Sequence, residues 1–229
     1  MVLRVFSMSA LGNIYYSFFG TNLTPKLYKG LRVAIKKQLN LNARVVIKEI
    51  KLKAKDIIEE DKKNHKFTAC GHFKFAATIV AADEILSQYV SDPQSRLEFI
   101  IGALHSRIRQ PKPGIIFKLF NLVFYGRKFF AKVLYSSVLW QWGLKFNKAV
   151  DGSVPRVIEL KVGSCQYYDY FASKGKPELT KIMCSIDCAW FRLMQQKNKY
   201  RIKFLEEELQ TIESGAKECN FSIRIGSLK

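Results

Sequence analysis

Cysteine is the residue in this chain with the widest range of chemistry, and four of its five copies fall in the last third of the sequence. Cys184 and Cys188 are four residues apart, so on a helix both thiols face the same side. Cys165 and Cys219 belong to other elements and could complete a four-cysteine metal site. This spacing matches no common zinc pattern, however, and buried unpaired thiols are the ordinary alternative. We therefore predict neither a metal site nor a cofactor.

A carboxylate accompanies these thiols. Asp187 follows Cys184 by three residues, so the two side chains are neighbours on one helical face. A nearby carboxylate does not lower the pKa of a thiol, so we expect Asp187 to position a water or to hold a cationic substrate group. Because its neighbours along the chain are mostly apolar, we also expect this side chain to be partly buried and to have a partner. The alternative for Cys184 and Cys219 is a purely structural role.

The composition restricts the classes of partner. The chain has 229 residues, 48% of them hydrophobic, and 38 Lys and Arg against 19 Asp and Glu, which gives a net charge of +19. A chain with this share of apolar residues forms a folded core. A chain with this excess of positive charge attracts anionic partners. Because no phosphate-binding loop and no nucleic-acid-binding motif occurs, we predict no specific nucleic acid as partner. The sparse, odd-numbered cysteines predict a reducing, cytoplasmic location.

The order of the elements predicts the fold class. Helical spacing of apolar residues indicates helices over Leu27–Leu39 and Val46–Ile58, then over Phe67–Val90 and from Asp92 to about Arg109. Further along, we predict strands at Val157–Val162, Tyr200–Ile212 and Asn220–Ile225, and a helix from Pro177 to Met194. The prediction is an α+β fold in which a helical N-terminal part packs with a small antiparallel sheet and helices in the C-terminal third. We predict a single domain over 1–229, with a helical part at 1–110 and an α+β part at 154–229.

Residues 115–148 form a predicted basic amphipathic helical segment. No Asp or Glu occurs between Glu98 and Asp151, and a narrow polar stripe leaves most of the helix surface apolar. One interpretation is peripheral contact with an anionic membrane surface, through Lys118, Arg127, Lys128 and Lys132. The other is ordinary packing or homo-oligomerisation.

The C-terminal third also carries a longer pattern. Residues Cys165–Asp187 and Thr211–Ile223 resemble the L-2-amino-thiazoline-4-carboxylic acid hydrolase-like family, whose pattern, as this sequence reproduces it, comprises Cys165, Tyr167, Tyr168, Gly175, Pro177, Glu178, Leu179, Cys184, Asp187, Thr211, Gly215, Cys219 and Phe221. Two positions depart from it. This chain has Glu208 where the family has arginine, and Asn220 where the family has aspartate.

The resemblance implies hydrolysis of a C–N bond in a cyclic amidine, with opening of the thiazoline ring of a small carboxylic acid. A water or a thiolate would attack the ring carbon while Asp187 assists proton transfer or holds the protonated nitrogen. The catalytic candidates are Cys165, Cys184, Asp187 and Cys219, and the substrate-binding candidates are Thr211, Tyr167, Tyr168 and His72.

A second class of function remains open. The glycine turn followed by Cys219 and Phe221 is also similar to the four-vinyl-reductase ligand-binding domains. This second resemblance implies a module that binds small hydrophobic or tetrapyrrole-like ligands without catalysis. Together with the basic segment 115–148, the alternative function is a non-catalytic module that binds a small molecule, a tetrapyrrole or a lipid and is peripherally associated with a membrane.

Overall fold

The computed structural model of the protein describes residues 23–63, 70–108, 148–149, 157–196 and 202–225. Helix predominates among them. The α-helices, numbered in chain order, are α1 (Leu23–Ala34), α2 (Ala43–Asp61), α3 (Cys70–Leu86), α4 (Pro93–Ile108), α5 (Gln166–Ser173) and α6 (Thr180–Gln196). The strands are β1 (Lys148–Ala149), β2 (Val157–Val162), β3 (Ile202–Phe204) and β4 (Cys219–Ile225). The predicted helices that fall within the described residues are therefore confirmed, whereas the helical segment predicted at 115–148 lies outside them.

The chain divides into two compact units. Within the residues described, residues 23–63, 70–108 and 167–183 form what we call the helical unit. Residues 148–149, 157–166, 184–196 and 202–225 form what we call the sheet unit. The division leaves the prediction of one domain untested.

Apolar spacing builds the core of the helical unit. Leu23, Leu27 and Leu31 lie on one buried face of α1, which packs against α4, while α2 packs against α3. Helix α2 begins at an Asn42 cap, whose side chain accepts a hydrogen bond from the Arg44 amide at 3.1 Å. Helix α3 is almost entirely buried, as its apolar sequence predicts.

A close approach of two helices fixes the position of α1. The Cα of Gly30 lies so near α4 that a Cβ atom built on it would be 2.0 Å from the Ala103 carbonyl oxygen. Only glycine fits there without movement of the backbone. Gly102, on α4 itself, is exposed, and a Cβ atom built on it would meet nothing within 4 Å.

The sheet unit contains a four-stranded antiparallel sheet in the order β1-β2-β4-β3. Its central pair aligns Leu160 with Phe221 and Val162 with Cys219. The described residues are mostly helical with one small antiparallel sheet, and the packing of the helical part against that sheet stays a prediction.

One predicted strand is largely wrong. The segment Tyr200–Ile212 contributes only β3, and a 3₁₀ turn at Glu206–Glu208 follows it. All three glutamates of this turn are exposed, because three adjacent carboxylates are better solvated on a turn than paired in a ladder. The chain returns to the sheet at Gln210, which forms an isolated bridge with Asn220.

The predicted membrane-contact residues lie outside the described part of the chain. This applies to Lys118, Arg127, Lys128 and Lys132, and to the whole segment 115–148 except Lys148. Among the helices that the structure describes, none is long and apolar enough to cross a membrane.

We predict that Gly30→Ala destabilises the protein by about 1–3 kcal/mol, because the new methyl group overlaps the backbone of α4. The matched control is Gly102→Ala, which adds the same methyl group on an exposed helix surface and should stabilise by about 0.5–1 kcal/mol. Urea unfolding followed by circular dichroism measures both. Equal effects of the two substitutions would contradict the close helix approach.

Candidate functional site

The predicted catalytic residues come from three elements of the sheet unit. Cys184 and Asp187 lie one turn apart on α6, Cys219 is the first residue of β4, and Cys165 directly precedes α5. Cys165 and Cys219 are buried, whereas Cys184 and Asp187 are partly exposed. The i, i+3 spacing of the helical pair is the signal that the sequence provided.

Electrostatic coupling shows that these four side chains lie near one another. The pKa of Cys184 is raised first by burial, and then by its electrostatic interactions with Asp187, Cys219 and Cys165. The charge of Asp187 also raises the pKa of Cys219, again after burial. The structure thus brings together all four residues predicted as catalytic. Their roles in catalysis stay a prediction.

Asp187 has the most unusual environment of the four. Its Oδ2 atom is inaccessible to solvent and has no hydrogen-bond partner among the residues described. Burial raises the pKa of this carboxyl from 3.8 to about 7. The predicted partial burial is confirmed, but a partner for Oδ2 is not found in the described part of the chain. An aspartate of this kind gains or loses a proton near neutral pH.

The surrounding thiols are held in the neutral form. Burial is the largest cause that raises the pKa of Cys184, Cys188 and Cys219, and the pKa of Cys188 rises to about 11. The Cys219 sulfur accepts a hydrogen bond from the Ile212 amide at 3.3 Å. A thiolate is the reactive form of cysteine, so the raised pKa values of these thiols disfavour them as nucleophiles at neutral pH. Among the described residues, no group of three or more His, Cys, Asp and Glu side chains is arranged to hold a metal ion.

Thr211, predicted to bind substrate, has a local structural role. It is buried and caps the short 3₁₀ turn Ile212–Ser214, where its hydroxyl accepts a hydrogen bond from the Ser214 amide at 3.3 Å. The Ser214 hydroxyl accepts in return from the Thr211 amide at 3.2 Å. Gly215 ends this turn at φ +90°, a conformation that favours glycine. Contact of Thr211 with substrate stays a prediction.

A shallow groove of about 520 Å³ lies beside the same turn. None of the four predicted catalytic residues lines it. The lining residues are Leu209, Gln210, Ser214, Gly215, Ala216, Lys217 and Glu218. Glu208, which stands where the family pattern has arginine, is exposed on the preceding 3₁₀ turn.

The remaining substrate-binding candidates lie in the helical unit. His72 and Tyr167 are buried and share a hydrogen bond between the imidazole Nδ1 and the phenol oxygen, with their rings edge to face. Burial lowers the pKa of His72 to about 4, so the ring is neutral at pH 7. Tyr168 is partly exposed. Their contact with substrate stays a prediction.

The sequence analysis missed a buried ion-pair cluster in the helical unit. Asp83 on α3 accepts a hydrogen bond from the Arg96 Nε atom at 2.5 Å and pairs with Lys176 through its other oxygen. Arg96 also donates to the Val90 and Ser91 carbonyls. The available signal was an acidic residue, Asp83, that follows a long apolar run near the end of α3 and precedes Glu84.

A second carboxylate, that of Asp61, contacts residues in and before the turn that carries Lys176. Asp61 at the end of α2 accepts hydrogen bonds from the Tyr170 hydroxyl at 2.8 Å and from Lys174 at 2.7 Å. Lys174 and Lys176 flank Gly175, which has φ +69°. The two lysines therefore fasten the turn between α5 and α6 within the helical unit.

We predict that Asp83→Asn destabilises the protein by about 3–5 kcal/mol, because it leaves the buried Arg96 and the partly buried Lys176 without a counter-charge. The control is Glu207→Gln, which removes an exposed partner 3.9 Å from Lys203 and should change stability by less than about 0.5 kcal/mol. Urea unfolding measures the difference. A small effect at Asp83 would show that the cluster is not needed for folding.

Asp187 gives a prediction for the pH dependence of stability. Because its pKa is higher in the folded state than in the unfolded state, the folded protein retains a proton that the unfolded chain loses. Stability should therefore fall as the pH rises from about 4 to about 7, by up to about 4 kcal/mol, and then level off.

Asp187→Asn should lack this decrease, since an amide does not titrate. His72, whose pKa is lowered, contributes a slope of opposite sign in both proteins, so the difference between them isolates Asp187. Unfolding free energies at about pH 5 and about pH 8 measure the effect. Parallel pH profiles of the two proteins would contradict it.

A comparison with known proteins finds a family that matches the part of the chain containing most of these residues. The model of the family described as L-2-amino-thiazoline-4-carboxylic acid hydrolase matches residues 119–223. No curated protein and no solved structure matches the chain significantly. The matched range includes Cys165, Cys184, Asp187, Thr211 and Cys219, but not His72. The resemblance predicted from the C-terminal residues is thus confirmed: this part of the chain is similar to the L-2-amino-thiazoline-4-carboxylic acid hydrolase family.

Proposed function

We propose that the protein is a hydrolase that opens a cyclic amidine, such as the thiazoline ring of a small carboxylic acid, with Asp187 as its general base. Two observations support this. The family match indicates the reaction class, and the carboxyl of Asp187 has a pKa of about 7, raised by burial. A general base works best when its pKa is near the operating pH.

The chemistry requires a base more than a charged nucleophile. The ring carbon of an aminothiazoline is bonded to two nitrogens and one sulfur and is electrophilic, especially when a nitrogen is protonated. The ionised Asp187 would take a proton from a water molecule as that water adds to this carbon. The protonated Asp187 could then return the proton to the departing ring atom, so one carboxyl serves both steps.

In this mechanism the thiols of Cys184 and Cys219 remain uncharged and do not attack the substrate. A thiolate attack from Cys184 is the alternative mechanism, but burial and the charge of Asp187 both raise the pKa of Cys184. A neutral thiol is a weak nucleophile, so water is the favoured one. Cys184 and Cys219, which interact electrostatically with Asp187, are polarisable groups that as neutral thiols bring no second charge to it.

The test uses the purified full-length protein and 2-amino-thiazoline-4-carboxylate. We expect addition of one water to give a carbamoyl-cysteine, detected by mass spectrometry. Cleavage of the ring C–N bond leaves the carbamoyl group on sulfur, whereas cleavage of the C–S bond releases a free thiol. A thiol reagent added early in the reaction distinguishes the two products, and we expect the C–N product.

Asp187→Asn should lower kcat/KM by about 10²–10⁴-fold, the usual contribution of a general base. In the wild type, kcat/KM should rise with pH and level off above about 7, as Asp187 ionises. The matched control is Asp169→Asn, which makes the same change at an exposed position on α5 and should leave kcat/KM unchanged. No turnover of this compound or of other cyclic amidines by the wild type, or equal rates in both variants, would overturn the proposal.

A further inference from the structure

The exposed surface of α1, α2 and the turn between them is strongly basic. On α2, three lysines and one arginine are spaced by four, three and four residues, so they share one face of the helix. On α1 and in the following turn, four further basic residues are exposed. We call these eight side chains the basic face: Lys29, Arg32, Lys36, Lys37, Arg44, Lys48, Lys51 and Lys55.

The basic side chains of α1 and those of α2 form one continuous surface. Lys51 on α2 lies over the ring of Tyr28 on α1, with its Nζ atom 5.2 Å from the ring centre. This contact places the basic row of α2 along the seam with α1. The two helices also pack against each other directly. The basic face is therefore one surface that spans two helices.

Ion pairing within the fold does not account for these charges. None of the eight residues forms an ion pair with another residue in the described part of the chain. Like charges four residues apart repel, as at Arg44 and Lys48, and a helix normally favours acidic residues in its first turn, where α2 has none. The exposed acids of α2, Asp56, Glu59 and Glu60, lie toward its C-terminal end, and Glu49 is only partly exposed.

Apolar side chains are exposed beside the charges. Leu52 is 55% exposed, Val45 is 49% exposed and Val33 is 36% exposed. Val45 and Leu52 are seven residues apart, so they form a second row next to the basic row of α2. A surface that combines lysines and arginines with aliphatic side chains is typical of proteins that lie on a membrane.

We propose that the basic face binds a membrane surface rich in anionic phospholipid headgroups, with Val33, Val45 and Leu52 entering the headgroup layer. The positive charge matches the negative potential of such a surface. Single-stranded nucleic acid, the other common polyanion, is bound with exposed aromatic side chains on which bases stack. The exposed apolar side chains here are aliphatic, and Tyr28 is covered by Lys51. The residues of the basic face differ from Lys118, Arg127, Lys128 and Lys132, for which the sequence predicts membrane contact.

The test is flotation of the full-length protein with phosphatidylcholine vesicles that contain about 30 mol% phosphatidylserine, at about 0.1 M NaCl. The wild type should float with these vesicles and not with pure phosphatidylcholine, and about 0.5 M NaCl should release most of it. The variant Arg44→Gln/Lys48→Gln/Lys55→Gln should bind about 100-fold more weakly.

The matched control removes three positive charges from exposed lysines elsewhere, as Lys63→Gln/Lys181→Gln/Lys217→Gln. It should bind within about threefold of the wild type if the basic face, and not net charge, is responsible. A second variant, Val45→Ser/Leu52→Ser, should weaken binding at both salt concentrations. Circular dichroism shows that each variant is folded.

Three results would overturn the proposal. The first is flotation of the triple Gln variant equal to that of the wild type, which would assign the binding to another segment. The second is an equal loss in the Lys63/Lys181/Lys217 control, which would show attraction by net charge alone. The third is no flotation with anionic vesicles together with binding of a labelled oligonucleotide through the same three residues, which would identify a nucleic acid as the partner.

Discussion

The burial of a single carboxyl group, that of Asp187, is the constraint on which the chemistry of the sheet unit depends. Loss of solvation raises its pKa to about 7. Once ionised, Asp187 in turn disfavours the thiolate forms of Cys184 and Cys219, which burial alone already disfavours. The fold thus maintains one titratable group near neutrality among thiols that remain protonated. These environments favour the proposed proton transfer to and from water over formation of a covalent thiol adduct.

Another buried aspartate, Asp83, has the opposite kind of environment. In the helical unit, Asp83 is surrounded by donors, because both of its oxygens are taken by Arg96 and Lys176. A carboxylate paired on both oxygens serves the fold. Asp187 has no donor to its buried oxygen among the described residues. A buried carboxyl whose environment raises its pKa is a common feature of enzyme sites, and this marks Asp187 as a candidate for chemistry.

Local patterns predicted more of the structure than long-range contacts did. The apolar spacing located the helices, and the i, i+3 pair Cys184 and Asp187 is confirmed as one face of α6. The strand predicted after Tyr200 is largely wrong. The prediction extended it across three adjacent glutamates, whose solvation favours a turn. The bond between His72 and Tyr167 joins residues 95 positions apart, and the pair Asp83–Lys176 spans 93. No periodic pattern in the sequence predicts either of these two contacts.

Infrared spectroscopy of the carboxyl group measures directly whether Asp187 carries its proton up to near-neutral pH. Protein labelled with ¹³C at the aspartate side-chain carboxyl would be titrated from about pH 4 to about pH 9, and the spectrum of Asp187→Asn subtracted at each pH. We expect a protonated carboxyl band that is lost with a midpoint near pH 7 and is absent from the variant. A midpoint below about pH 5 would contradict it, because Asp187 would then be an ordinary ionised carboxylate.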